Sequence, residues 1–128
     1  MYRIIIAGSR TFDNYELLEE SLNEYIIAEV FQKKVDSIEI ISGTAKGADS
    51  LGEKYAIEHN YLIKRFPADW DKYGKSAGYI RNEKMADYAS KEKGVLFAFW
   101  DAKSKGTKNM INIAKKYKLD VNIVVFNN

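Results

Sequence analysis

The run Ser42-Gly43-Thr44-Ala45-Lys46-Gly47-Ala48-Asp49 joins an apolar stretch, Ile38 to Ile41, to a stretch of helical spacing, Asp49 to His59. A strand that ends in Ser-Gly and re-enters order as a helix through Lys-Gly-Ala-Asp points the helix's first backbone N–H groups at whatever sits above the sheet. Such a turn makes an anion site without a charged side chain. The arrangement recurs at Gly8-Ser9-Arg10 and at Ser104-Lys105-Gly106-Thr107.

Upstream, Arg3 to Gly8 is a continuous apolar run, which fits a strand buried on both faces. Asp13 and Glu16 have the spacing of a capping box, and Tyr15, Leu18, Leu22, Tyr25, Ile26 and Val30 follow at helical intervals. Lys33, Lys34 and Asp36 make a polar turn before the second strand. Downstream, Ala48, Leu51, Tyr55 and Ala56 face inward, and Tyr61 to Phe66 is a third strand ended by Pro67, the only proline. Pro67 to Gly78 reads as an irregular loop rich in aromatics and glycine, of the kind that carries function or moves. Ile80, Met85 and Ala89 resume helical spacing. Val95 to Trp100 is the fourth strand, Thr107, Met110, Ile111, Ala114 and Tyr117 share a helical face, and Val121 to Phe126 is the fifth strand. Strands alternating with helices in this way predict an α/β fold, a mainly parallel sheet covered on both faces, with ligands bound beyond the carboxyl ends of the strands.

The totals bound the function. At 128 residues and 46% hydrophobic, residues 1–128 are expected to form one domain. With no cysteine and one histidine, His59, neither a thiolate cluster, a multi-histidine metal site nor a Cys/His pair can be assembled, and we expect no Ser/His/Asp constellation. We therefore expect no metal and no cofactor. The first apolar run is too short to span a membrane, which predicts a cytoplasmic protein without a membrane partner. Twenty basic residues against 18 acidic leave +2, a poor balance for gripping duplex phosphates.

Gly43-x3-Gly47 is neither a P-loop, since Lys-Ser/Thr does not follow Gly47, nor the dinucleotide fingerprint, since Gly43 stands where an acidic ribose ligand belongs. Its glycines also fit a purely conformational need. Ser104, Gly106 and Thr107 suit a phosphate, and Ser104 equally suits a plain N-cap. Arg10 can fork onto phosphate or pair at the surface. Arg81-Asn82 can hold a phosphate and a base or ribose. Trp70 can stack on a base, although loop aromatics more often anchor. Asp49, Asp69 and Asp101 are candidate ribose acceptors or general bases, and Asp49 equally suits the first turn of its own helix.

Taken together, five ordered blocks resemble the YspA-like members of the SLOG superfamily. The blocks are Gly8-Ser9-Arg10; Ser42-Gly43-x-Ala45-Lys46-Gly47-Ala48-Asp49; Phe66-x-Ala68-Asp69-Trp70-x-x-Tyr73-Gly74; Ala77-Gly78-x-x-Arg81-Asn82-x-x-Met85; and Phe99-Trp100-Asp101-x-x-Ser104-x-Gly106-Thr107-x-x-Met110-Ile111. The resemblance implies a Rossmann-like, three-layer α/β/α fold with strand order 3-2-1-4-5. It also implies a nucleotide or nucleotide-derived ligand of the AMP or ADP-ribose type. With that order the reversal lies between strands one and four, so Gly8-Ser9-Arg10 and Ser104 to Thr107 frame the cleft and the opening stretch walls it. Lonely Guy phosphoribohydrolases, in the same superfamily, carry Pro-Gly-Gly-x-Gly-Thr-x-x-Glu. Here Gly106-Thr107 match, Ala102, Lys103 and Ser104 replace Pro-Gly-Gly, and Met110 replaces the catalytic glutamate. A methionine cannot act as a general base, which counts against that hydrolysis through position 110. The DNA-processing branch shares the Gly-Ser-Arg, Ser-Gly-x-Ala-x-Gly-x-Asp and Arg-Asn elements.

The leading expectation is a sensor or sequestering protein for a nucleotide-like small molecule, held by Gly8, Ser9, Arg10, Ser42, Gly43, Thr44, Lys46, Gly47, Asp49, Trp70, Arg81, Asn82, Ser104, Gly106 and Thr107. An N-glycosidase using Asp49, Asp69 or Asp101 is the first alternative. Single-stranded DNA binding is the second, weakened by the near-neutral charge. The resemblance also implies pairing of copies, as a dimer or tetramer.

Overall fold

The computed structural model describes residues 1–33 and 37–127. The chain runs β1 (Tyr2–Gly8), α1 (Tyr15–Tyr25), β2 (Ile38–Ser42), α2 (Ala48–Glu58), β3 (Leu62–Arg65), α3 (Trp70–Tyr73), α4 (Ala77–Ser90), β4 (Lys93–Trp100), α5 (Lys105–Lys116) and β5 (Asp120–Val125). The five strands form one sheet in the order β3-β2-β1-β4-β5, and every neighbouring pair is parallel. This is a Rossmann-like α/β fold with the strand order expected from the sequence.

Strand alternation divides the apolar residues between two cores. In register, Ile4 stands beside Ile40 and Val95, and Ile5 beside Ile41 and Leu96. The first set, with Ile6, Phe97 and Phe99, packs against Leu18 and Leu22 of α1 and Tyr55 and Ala56 of α2. The second, with Ala7 and Ala98, packs against Met85, Ala86 and Ala89 of α4 and Met110 and Ala114 of α5. A strand clothed on both faces has no solvent side, which is why β1, β2 and β4 read as apolar runs, interrupted in β1 and β2 only by Arg3, Glu39 and the closing Ser42. Each fully buried isoleucine contributes about 1.5–3 kcal/mol, so Ile4, Ile5, Ile6, Ile40 and Ile41 dominate the choice of fold over any cap or turn.

One polar cluster adjoins the second core, against which Tyr88 packs. Arg3 donates through Nε to Glu39 Oε1 at 3.2 Å and through Nη1 to the Tyr88 carbonyl at 2.7 Å. The Tyr88 hydroxyl donates to Glu39 at 2.6 Å, and the Arg3 guanidinium lies 3.7 Å from the Tyr88 ring centre. Each buried charge is thereby paired, and the far end of α4 is fixed to β1 and β2.

The local readings differ in several places. Asp13 does not cap α1. The N-cap is Asn14, whose side chain accepts from the Leu17 N–H at 3.0 Å, the donor three residues into the helix. After Tyr25 the helix continues as a wider π-helical turn, Ile26–Val30, which keeps both Ile26 and Val30 buried. Lys33 ends a short 3-10 turn, Phe31–Lys33, while the predicted turn residues Lys34 and Asp36 lie outside the described residues. The segment read as an irregular loop from Pro67 to Gly78 holds α3 and a 3-10 turn, and α4 begins at Ala77 rather than at Ile80. Asp69 nucleates that order, accepting from the Lys72 N–H at 3.1 Å.

Asn14→Ala should lower unfolding free energy by about 1 kcal/mol, whereas Asp13→Ala should change it by less than about 0.5 kcal/mol. Urea titration of the two variants checks this, and an equal loss in both would restore Asp13 to the cap.

Candidate functional site

Strand order reverses between β1 and β4, and helices on opposite faces leave a crevice there. A cleft of about 240 Å³ lies there, between the end of β1, the turn into α2 and the first turns of α4 and α5. Met85 and Met110, both buried, give it an apolar floor.

Its frame is built on Ser9, which is 2% exposed. The Ser9 N–H donates to the Phe99 carbonyl at 2.9 Å, and its hydroxyl accepts from the Asp101 N–H at 3.1 Å. Its carbonyl accepts from Phe12 at 3.1 Å and from Ala48 at 3.4 Å. Gly47, with φ 78°, lies so close to this turn that a Cβ there would sit 2.4 Å from the Ser9 carbonyl oxygen. A Cβ on Gly8 would sit 2.2 Å from the Phe99 carbonyl oxygen. Both glycines are therefore required by close backbone approach. These contacts also occupy donors of the opening stretch. Thr44 N–H donates to Ser42 Oγ at 3.0 Å, Ala45 N–H to Asp49 Oδ2 at 3.2 Å, and Ala48 N–H to Ser9.

The α5 entrance differs. Ser104 is its N-cap, accepting from the Thr107 N–H at 3.3 Å and the Thr107 hydroxyl at 3.1 Å. Asp101 braces the turn from outside, its Oδ1 accepting from Lys103 N–H and Ser104 N–H, each at 2.8 Å. Those two donors hold its carboxyl below the usual carboxylate range. The Lys105 and Gly106 amides, in the first turn, have no intrahelical acceptor. Gly106 lines the cleft, and no atom lies within 4 Å of where its Cβ would be.

Arg81 enters the cleft from α4. Its Nη1 donates to the Gly43 carbonyl and its Nε to Asn82 Oδ1 at 2.9 Å. Buried Asn82 in turn donates to Asn109 Oδ1 at 3.0 Å and to the Gly106 carbonyl at 3.4 Å, which ties α4 to the α5 entrance. On the other side of Gly43 lies Asp49, 6% exposed: a Cβ on Gly43 would meet Arg81 Nη1 at 2.7 Å and Asp49 Oδ2 at 2.8 Å. Burial pushes the Asp49 carboxyl up to about 6 against the Ala45 N–H and the Arg81 and Arg10 charges, which favour ionisation. Burial also lowers Arg81, with Asp49 opposing the shift.

The cleft thus gathers Gly8, Arg10, Asp49, Trp70, Arg81, Asn82, Ser104, Gly106 and Thr107 from the expected set. Ser9, Ser42, Gly43, Thr44, Lys46, Gly47 and Asp101 are not among its lining residues. Ser42 instead bonds Glu53 at 2.7 Å, and Lys46 is exposed. Asp69 lines a neighbouring groove, so the three candidate carboxylates do not converge on one point. Trp70, 53% exposed, stands at the rim, its ring 3.6 Å from the Cβ position of Gly78. Lys75 and Tyr79 also line the cleft and were missed. Continuing the helical register of Ile80 and Met85 back to Ala77 would have put Tyr79 on the same first turns of α4 as Arg81.

Among the described residues no helix is long and apolar enough to cross a membrane, and no cluster of metal-ligating side chains occurs.

The folded chain holds the Asp49 proton to higher pH than the unfolded chain, whose carboxyl sits near 3.8. Its contribution to stability is complete below about pH 4 and is lost as pH rises through about 6, a change on the order of 3 kcal/mol. Denaturant unfolding across that window should show stability falling in the wild type. In Asp49→Asn the fall should flatten, leaving the variant the more stable near neutral pH; identical slopes would contradict the burial described.

Residues 2–73 match the family described as YspA, cpYpsA-related SLOG family. The "Gene 61 protein" of Mycobacterium phage D29 is 27% identical over 126 residues, covering 94% of each chain. No solved structure gives a significant match. A match of that extent, on a chain with this strand order and these glycine turns, makes the protein a member of the YspA and cpYpsA-related SLOG family.

Proposed function

We propose that the cleft binds a nucleotide or nucleotide-derived small molecule, of the AMP or ADP-ribose type, and that the protein acts as its sensor or sequestering partner. The observation that carries this is the α5 entrance: the Lys105 and Gly106 amides have no intrahelical acceptor, and Gly106 lines a cleft that Arg10 and Arg81 also line. The phosphate rests there, where the helix dipole and Arg10 favour negative charge. Arg81 spends two of its five donors on Gly43 and Asn82 and offers the rest. The base lies on the methionine floor under Trp70 and Tyr79, and Asp49 accepts from a ribose hydroxyl. The opening stretch serves as a wall, because the Thr44, Ala45 and Ala48 amides already have protein acceptors.

Asp49 also gives the enzyme reading one specific support. It is a single buried carboxyl titrating near 6 inside the cleft, the range useful to a general acid or base. Release of free base from nucleoside monophosphates, abolished in Asp49→Asn, would establish hydrolysis; binding without release leaves the protein a sensor.

Titration calorimetry with AMP, ADP-ribose, NAD and cyclic nucleotides should show binding by at least one. Arg81→Ala should weaken it by about ten- to a hundredfold, the worth of a hydrogen bond to a charged group, while Lys46→Ala leaves it unchanged. Silence across the panel would overturn the proposal.

A further inference from the structure

Arg81 lines a second groove of about 320 Å³, between the end of β3 and the first turns of α4. Three further cations border it, Lys64, Arg65 and Lys84, together with the rings of Phe66 and Tyr73. Arg65 is neutralised by Glu53 at 2.8 Å. The two lysines are not. Lys64 lies 5.7 Å from the Phe66 ring centre and 5.8 Å from that of Tyr88, and Lys84 lies 5.7 Å from Tyr73. Among the described residues neither lysine forms an ion pair with a carboxylate. Asp69 is the one carboxylate bordering the groove, and its Oδ1 is engaged by the Lys72 N–H.

An aromatic face holds an ammonium group in place without cancelling its charge. Two such lysines across a concave surface, with Arg81 beside them, therefore set up a positive field that the single carboxylate of Asp69 offsets only in part. The adjoining rings offer what a flat base needs to stack on. Arg81 belongs to both hollows, so a phosphate bonded to its free N–H groups would have the α5 entrance on one side and the lysine pair on the other.

We infer that the two hollows are compartments of one site, and that the ligand is a linear dinucleotide whose linking phosphate lies at Arg81, with its second unit in the groove between Lys64 and Lys84. This rests on the reading of the first cleft as a nucleotide site. Joining two weak sites through one linker gains affinity because the second contact becomes intramolecular.

The test compares AMP with the 5′-phosphorylated dinucleotide pApA on the full chain, by calorimetry and by amide shifts in 15N-resolved NMR. pApA should bind at least about tenfold more tightly than AMP. AMP should move amides of the first cleft, Gly106 and Thr107 among them, and leave those of Arg65, Phe66 and Lys84 in place; pApA should move both sets. The double variant Lys64→Gln, Lys84→Gln, altered only at exposed side chains, should keep AMP affinity and lose the advantage of pApA. Equal affinities, or shifts by pApA confined to the first cleft, would overturn this inference while leaving the mononucleotide site standing. No shift at Gly106 or Thr107 with either ligand would instead overturn the reading it rests on.

Discussion

The site depends on how closely three backbone segments meet at Ser9. The end of β1, the turn into α2 and the turn after β4 converge there, and a side chain larger than glycine at position 8 or 47 would collide with backbone oxygen. Ser9 satisfies this junction with four hydrogen bonds, to Phe99, Phe12, Ala48 and Asp101. Backbone polar groups brought together away from water must be paired, and one short hydroxyl residue does this without filling the space above. The cleft is the volume left over the junction.

α4 has the complementary role. At its far end Arg3, Glu39 and Tyr88 clamp it to the sheet. At its near end Arg81 and Asn82 link β2 to the α5 entrance through Gly43, Asn109 and Gly106. Held at both ends, the helix presents a guanidinium whose direction is set before any ligand arrives. Such preorganisation lowers the ordering cost of binding. Its counterpart is Asp49, whose burial opposes ionisation and makes the charged form costly to the folded chain. A carboxyl kept under such strain beside a guanidinium marks a place where stability and site chemistry compete.

Much of the fold was legible because burial on both faces leaves a simple trace, as in Ile4-Ile5-Ile6 and Val95 to Phe99. The strand order came from the five blocks taken together, since periodicity alone does not order strands. What escaped reading was local competition. Asp13 and Asn14 are both good caps, and only the helix phase decides between them. Gly74 to Gly78 reads as irregular because two glycines sit there, yet Ala77 is already the first, buried residue of α4. The opening stretch looked like an anion loop because its residue types are right. Three of its amides, those of Thr44, Ala45 and Ala48, are engaged by Ser42, Asp49 and Ser9, partners that only the folded chain brings into place. Ser9 and Ser42, expected as ligand contacts, are both buried and bonded within the frame.

In the proposed function, anion recognition belongs to the α5 entrance, with the Ser42 to Asp49 turn as its wall. A crystal structure of the protein soaked with AMP tests it directly. Phosphate density should appear within hydrogen-bonding distance of the Lys105 or Gly106 amide and the Arg81 guanidinium. Phosphate density seated on the Gly43 to Asp49 turn, or a cleft without nucleotide density at saturating AMP, would contradict it.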